Sequence, residues 1–410
     1  MSNYVTITPK KLSGTVSAPP SKSAAHRAIL CAALSSGESK ISKLSYSDDI
    51  LATLSAVSVL GSKITTTEDC VEITGICKAQ ELNNVEICCN ESGSTLRFII
   101  PIALAIGGSF SVSGKGRLME RPLDDYFKIF DKEGISYTKK DDTLYLSGKL
   151  HGGKYELAGN VSSQYITGLL LGLSMLSVDS EIFITTLLES APYVEMTIDM
   201  MSKFGIQIEK SSDLGHFKIK GNQEYRATDY SVEGDYSQAA FFYVANALGS
   251  NIEILNVSDD SYQGDKEILD IIDIMRSSDA ERSINVSQIP DLVPIITLLA
   301  TQTEGITHIT GAKRLRLKES DRLSAITTEL KKLGAKIEEK EDSLTVFGKT
   351  ELHGGIVDAH NDHRIAMTMA IASTVTTDEI RLYGYGSVKK SYPDFWEKFE
   401  ELGGKIEYVK

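Results

Sequence analysis

A chain of 410 residues, 41% of them hydrophobic and 24% charged, has the balance of an ordinary soluble globular protein, and it is long enough that two domains of about 200 residues are expected. Its net charge of −13 argues against a nucleic-acid partner, which would reward a basic excess, and confines any anion site to a local cluster of cations. No apolar run approaches the roughly 18 residues that would cross a bilayer, and Thr6, Thr8, Pro9 and Lys10 exclude an apolar leader, so a cytoplasmic protein without a membrane partner is expected.

In chain order a module of about 70 residues recurs. It holds a helix that opens on small polar or charged residues and continues apolar, an amphipathic helix ending in Gly, and two strands that often close on another Gly. The openings are Pro20-Ser21-Lys22-Ser23, Glu91-Ser92-Gly93-Ser94, Ser162-Ser163-Gln164, Gly234-Asp235-Tyr236-Ser237, Pro290-Asp291-Leu292 and Asn361-Asp362-His363-Arg364. The glycines before the hairpins, Gly61, Gly134, Gly205, Gly334 and Gly403, stand 73, 71, 129 and 69 residues apart. The long gap leaves room for one degenerate hairpin near Met275, so six modules are expected, the fourth with a smaller sheet. Five cysteines (Cys31, Cys70, Cys77, Cys88 and Cys89) contain no C-x-x-C pair and read as reduced buried thiols, without zinc or a disulfide.

Behind these openings, residues 28–34, 98–106, 169–176, 239–248, 295–300 and 365–371 are largely apolar, as in helices buried all round. Ser, Asp and Asn at their starts are explained as caps for free backbone N–H groups. Lys22, Arg27, Arg97 and Arg364 are not, because a cation at a helix N-terminus opposes the macrodipole unless an anion lies between them. Three modules to a domain gives an α/β (α+β) architecture in which residues 20–230 form one domain and residues 1–19 plus 231–410 the other, joined by a two-strand hinge.

The segment Arg314-Leu315-Arg316-Leu317-Lys318-Glu319-Ser320-Asp321-Arg322 is the densest in charge. An extended Arg314–Lys318 would put three cations on one face and two leucines on the other. Leu323, Ile326, Leu330 and Leu333 then follow helical spacing. A carboxylate held among cations at such a junction suits an anion site with an acid–base group.

Pro20-Ser21-Lys22-Ser23 with Arg27, Gly93 to Arg97, Glu120-Arg121-Pro122, Ser162-Ser163-Gln164, Gln263-Gly264-Asp265, Ile289-Pro290-Asp291, Leu317 to Arg322, Asn361-Asp362-His363-Arg364 and Lys390-Ser391-Tyr392-Pro393-Asp394 lie in the order found in the enolpyruvyl transferases, and the chain resembles most the branch that acts on shikimate 3-phosphate. The resemblance spans nearly the whole chain. It implies two domains of three βαβαββ units around buried parallel helices, with enolpyruvyl transfer from phosphoenolpyruvate to the 5-hydroxyl of shikimate 3-phosphate. By this resemblance Asp291 is the base and Glu319 the acid, with Lys22 touching both substrates. Ser23, Arg27, Ser162, Ser163, Gln164, Ser190 and Lys318 fall to shikimate 3-phosphate, and Gly93, Arg121, Arg322, Arg364 and Lys390 to phosphoenolpyruvate. It further implies no cofactor or metal, a monomer, and inhibition by glyphosate at the phosphoenolpyruvate site.

This chain departs from the family at Glu91, Ser92 and Ser94, where relatives commonly carry Asn-Ala-Gly-Thr around the glycine, and at Arg314, commonly Asn. A UDP-N-acetylglucosamine enolpyruvyl transferase is the nearer rival, but its loop Cys is missing from Gly114 to Arg121. A non-catalytic repeat protein with an anion-binding cleft would explain the periodicity but not Asp291 and Glu319 among so many cations.

Overall fold

The computed structural model describes residues 3–76 and 80–409. Its chain divides into two compact units, Met1–Pro19 with Glu233–Lys410, and Pro20–Val232. The second crossing falls after Val232 rather than at the expected 230 because Tyr230–Ser231 runs parallel to Glu38–Ser42 as an edge strand of the Pro20–Val232 unit.

Among the described residues each unit contains three sheets. In Pro20–Val232 all three are four-stranded, with the first pair parallel and the hairpin returning antiparallel. The other unit has two four-stranded sheets and one of two strands, Asn251–Leu255 paired parallel to Ser13–Ser17. That small sheet is the fourth module's. Its helix Ile268–Met275 forms, but Arg276 to Ala280 supplies no hairpin. In the last module Tyr4–Thr8 lies between Ile380–Tyr383 and Lys405–Val409, antiparallel to both.

The six apolar helices run Lys22–Leu34, Gly93–Ile106, Ser163–Leu173, Tyr236–Ala247, Val293–Thr301 and His363–Ala372. Five of them are capped by the side chains the sequence offers. Ser21, Ser92, Ser162, Asp235 and Asp362 accept the N–H of Ala24, Thr95, Gln164, Gln238 and Arg364. Val293–Thr301 instead follows the single 3₁₀ turn Pro290–Leu292, in which Asp291 sits uncommitted to capping.

Two of these helices pack backbone to backbone. A Cβ at Gly168 would stand 2.3 Å from the Arg97 carbonyl, and one at Gly172 2.6 Å from that of Pro101. Pro101 has no N–H to give the Arg97 carbonyl four residues back. Tyr126 supplies the missing donor, its hydroxyl reaching the Arg97 oxygen at 2.6 Å. Each unit buries its own apolar cluster, one from Ala24 to Val232 and one from Val5 to Leu402.

Two local expectations are corrected. The Lys313–Leu317 segment is a 3₁₀ turn, not an extended strand, so Arg314, Arg316 and Lys318 do not share a face, and only Leu315 of the two leucines is buried. Tighter winding turns Arg316 to Asp321 and Glu339 at 2.9 Å each, while Arg314 donates to the Ser287 carbonyl at 2.6 Å. Among the cysteines, Cys31, Cys70 and Cys89 are buried free thiols, but Cys88 is exposed at the end of a strand; Cys77 lies outside the described residues.

Candidate active site

In the unit containing Glu233–Lys410 the charges gather on Arg322, which is 1% exposed. Asp321 caps the helix Arg322–Lys332, which places Arg322 at its first position. Its Nε meets Asp362 Oδ2 at 2.8 Å, Nη1 meets Asp291 Oδ1 at 2.9 Å and Nη2 meets Glu319 Oε2 at 2.6 Å. One buried guanidinium thus holds three carboxylates. Burial alone would disfavour the cation, yet Asp362, Glu319 and Asp291 push its pKa above the usual value. Asp362 also caps its own helix and accepts from Ser320 at 3.2 Å, so it belongs to the scaffold.

Asp291 is the shared centre. Lys318 Nζ lies 3.3 Å and Arg364 Nη2 3.2 Å from its carboxylate, besides Arg322. Burial pushes the Asp291 carboxyl up, but Arg364, Lys318 and Arg322 outweigh it and hold the pKa well below the usual range. The Lys318 ammonium moves down, by burial first and by Arg322 and Arg314 beside it, with Asp291 opposing. Nearby, buried Asp265 accepts from Ser237, and burial followed by the Asp291 charge raises its pKa to about 7. Lys390 donates to the Asn361 carbonyl at 2.7 Å, next to the Asp362 cap.

In the Pro20–Val232 unit, Lys22 pairs with Asp49 at 2.9 Å. Arg27 is fixed by Thr197 at 2.8 Å, the Ser23 carbonyl at 2.8 Å and the Tyr193 carbonyl at 2.9 Å. The last two partners tie it to the start of its own helix and to the helix Ala191–Lys203, which begins at Ser190 in a left-handed conformation with φ 56°. Burial lowers its pKa to about 10, so it stays a cation at neutral pH.

Gly93 opens the next helix, and an added Cβ there would meet Arg121 Nη1 at 2.8 Å and Arg97 Nη1 at 3.1 Å. Arg97 Nη1 donates to Gln164 Oε1 at 2.9 Å, and Gln164 Nε2 donates to Ser94 at 3.0 Å. The helix N-termini at Gly93 and Ser163 therefore converge on two guanidinium groups, an arrangement suited to an oxyanion.

Of the residues expected from sequence, Asp291, Lys318, Glu319, Arg322 and Arg364 are brought together in one unit, with Lys390 beside the Asp362 cap. In the other, Gly93, Arg121 and Gln164 form one group, and Lys22, Ser23, Arg27 and Ser190 lie around the starts of the helices Lys22–Leu34 and Ala191–Lys203. Ser162 caps the helix that Ser163 begins. Arg97, Asp49, Asp362 and Asp265 had no assigned role from sequence. Arg97, Asp362 and Asp265 stood inside motifs already singled out, and the unexplained cation at the Gly93 helix start was the available signal for Arg97. Nothing in the sequence distinguished Asp49 from the ordinary acidic first turn of Asp48–Val59.

The family model for EPSP synthase (3-phosphoshikimate 1-carboxyvinyltransferase) matches residues 7–399. A protein of that name from Clostridium beijerinckii is 50% identical over 422 residues, covering 97% of each chain, and one from Clostridioides difficile is 47% identical over 427 residues, covering 98% of each. A solved EPSP synthase from Acinetobacter baumannii superposes over the full length of both chains with a TM-score of 0.81 at 24% identity, a likeness of fold.

Proposed function

The chain belongs to the EPSP synthase family, and we propose that it transfers the enolpyruvyl group of phosphoenolpyruvate to the 5-hydroxyl of shikimate 3-phosphate, releasing phosphate. The observation that supports this reading best is the convergence of Lys318, Arg322 and Arg364 on Asp291, with Glu319 bonded to the same Arg322.

In the forward step the methylene carbon of phosphoenolpyruvate takes a proton, the substrate hydroxyl adds to the adjacent carbon and gives up its own proton, and a tetrahedral intermediate forms. Elimination then breaks the bond to phosphate, removes a methyl proton and restores the double bond. Asp291 suits the base. Alone it is a weak one, since three cations depress its pKa. A phosphate or carboxylate competing for Arg322, Arg364 and Lys318 would relieve that depression and strengthen the base when substrate is present. Glu319 is the acid in this reading, and Lys22 shares the proton traffic.

Shikimate 3-phosphate falls to Ser23, Arg27, Ser162, Ser163, Gln164, Ser190 and Lys318, and phosphoenolpyruvate to Gly93, Arg121, Arg322, Arg364 and Lys390. The same reading takes the protein to be a cytoplasmic monomer, inhibited by glyphosate in competition with phosphoenolpyruvate. Phosphate release with phosphoenolpyruvate and each of two acceptors, shikimate 3-phosphate and UDP-N-acetylglucosamine, tests the assignment. Turnover is expected with the first alone; turnover with the second, or with neither, overturns it.

A further inference from the structure

A buried polar chain runs through the Pro20–Val232 unit beneath the residues assigned to substrate. His26, 1% exposed, lies four residues after Lys22 on the same helix. Its Nδ1 is 2.7 Å from Thr53 Oγ1, and Thr53 Oγ1 is 2.7 Å from Thr95 Oγ1. Thr95 Oγ1 in turn donates to Ser92 Oγ at 2.7 Å. Ser92 is the cap of the helix that begins at Gly93, and it also accepts the Thr95 N–H at 3.2 Å. Thr53 lies one turn after Asp49, the partner of Lys22.

The proton count along this chain has one continuous solution. Each threonine hydroxyl carries a single hydrogen. Thr95 spends its own on Ser92, so the short 2.7 Å contact takes the Thr53 hydrogen in preference to the Asp49 carbonyl 3.4 Å from the same hydroxyl, and Thr53 then accepts from His26. That requires hydrogen on Nδ1. Among the described residues the other ring nitrogen, Nε2, is buried without a hydrogen-bond partner, so a second proton there would find no acceptor among them. Burial, with Lys22 and Arg27 adding repulsion, holds the imidazole pKa well below its usual value.

We propose that His26 is a positioning residue, which as the neutral Nδ1–H tautomer locks the Lys22–Asp49 pair to the Ser92 cap and so sets the geometry of Gly93 at the phosphoenolpyruvate site. The chain joins three helices, Lys22–Leu34, Asp48–Val59 and Gly93–Ile106, through side chains alone. The inference rests on the reading of Lys22 and Gly93 as substrate contacts.

The test uses the full-length protein. His26→Leu keeps an apolar side chain of moderate size but cannot donate, whereas the amide of His26→Asn can reach Thr53. For His26→Leu the KM for phosphoenolpyruvate is expected to rise about fivefold to tenfold, with kcat and the KM for shikimate 3-phosphate each within about twofold. His26→Asn should recover most of the loss, and Thr53→Val should reproduce it without adding to it in the double variant. Unchanged KM values in His26→Leu and Thr53→Val, or an equal fall in kcat that Asn does not rescue, would overturn the proposal. Nitrogen NMR of histidine-labelled protein, with His26→Leu identifying the signal, gives a readout independent of turnover. A neutral Nδ1–H ring at pH 7 is expected, and an Nε2–H or charged ring overturns the hydrogen-bond order even if the wild type proved to use other substrates.

Discussion

Glu319 and Asp291 share Arg322, and this fixes what their removal should do. Glu319→Gln and Asp291→Asn keep size and hydrogen bonding while removing the proton-transfer group, so turnover should fall about a hundredfold or more while calorimetric affinity for shikimate 3-phosphate stays near wild type. Near-normal turnover in both variants would remove the acid and base assignments. Gly93 makes a different kind of prediction. An alanine there meets Arg121 Nη1 at 2.8 Å and Arg97 Nη1 at 3.1 Å, so the methyl group displaces a guanidinium or intrudes on whatever those groups hold. Glyphosate, slightly longer than phosphoenolpyruvate, should lose affinity by about tenfold to a hundredfold in Gly93→Ala, a steric cost of roughly 1–3 kcal/mol. Inhibition series at fixed shikimate 3-phosphate and varied phosphoenolpyruvate measure it, and a wild type insensitive at millimolar inhibitor would withdraw Gly93 from that site. At this scale the resemblance named residues that the structure gathers around Asp291 and Gly93, but it did not name their partners. Asp49 and Thr53 gain their meaning only from three-dimensional neighbours, and the winding of Lys313–Leu317 was hidden because alternating Arg and Leu fits a strand as well as a 3₁₀ turn whose inward positions Leu315 happens to satisfy.

The apolar helices were readable because five of the six cap their own starts with local side chains and all six are largely buried, so neither cap nor period depends on distant contacts. The Gly-spaced hairpins were readable for a similar reason. What the pattern concealed was how helices lock against each other. Pro101 sits inside Gly93–Ile106 and would be read as a helix breaker, yet the carbonyl it leaves unpaired is taken by Tyr126 at 2.6 Å. A Cβ on Gly168 would stand 2.3 Å from the same carbonyl oxygen and 2.3 Å from the Tyr126 hydroxyl, so this bond needs the glycine beside it. Tyr126→Phe should therefore strand a buried acceptor and destabilise the protein by about 1–3 kcal/mol. Chemical denaturation of both proteins measures the difference, and an unchanged midpoint would mean that the carbonyl finds another donor. Because Arg97 stands on that turn, its bond to Gln164 should loosen in the same variant.

At the scale of the whole chain, the two units differ in how they are closed. Pro20–Val232 is a continuous stretch whose first sheet is completed by its own last residues, Tyr230–Ser231 beside Glu38–Ser42, and whose apolar cluster, among the described residues, runs from Ala24 to Val232. The other unit is assembled from two stretches. Tyr4–Thr8 is paired on both sides, with Ile380–Tyr383 and with Lys405–Val409, and Ser13–Ser17 is the single strand partner of Asn251–Leu255 in a sheet that lacks a hairpin. Val5, Ile7, Leu12 and Val16 all belong to that unit's buried cluster. Fully burying an aliphatic side chain contributes about 1.5–3 kcal/mol relative to exposing it, so four of them approach the whole stability of a typical domain, about 5–15 kcal/mol. A fragment of residues 20–232 should accordingly fold alone, with dispersed amide resonances and a cooperative thermal transition. Residues 233–410 alone should not, and adding a peptide of residues 1–19, or fusing it after residue 410 through a flexible linker, should restore the transition. A cooperative fold for 233–410 by itself would show that the Tyr4–Thr8 strand is an accessory to that unit rather than part of its core.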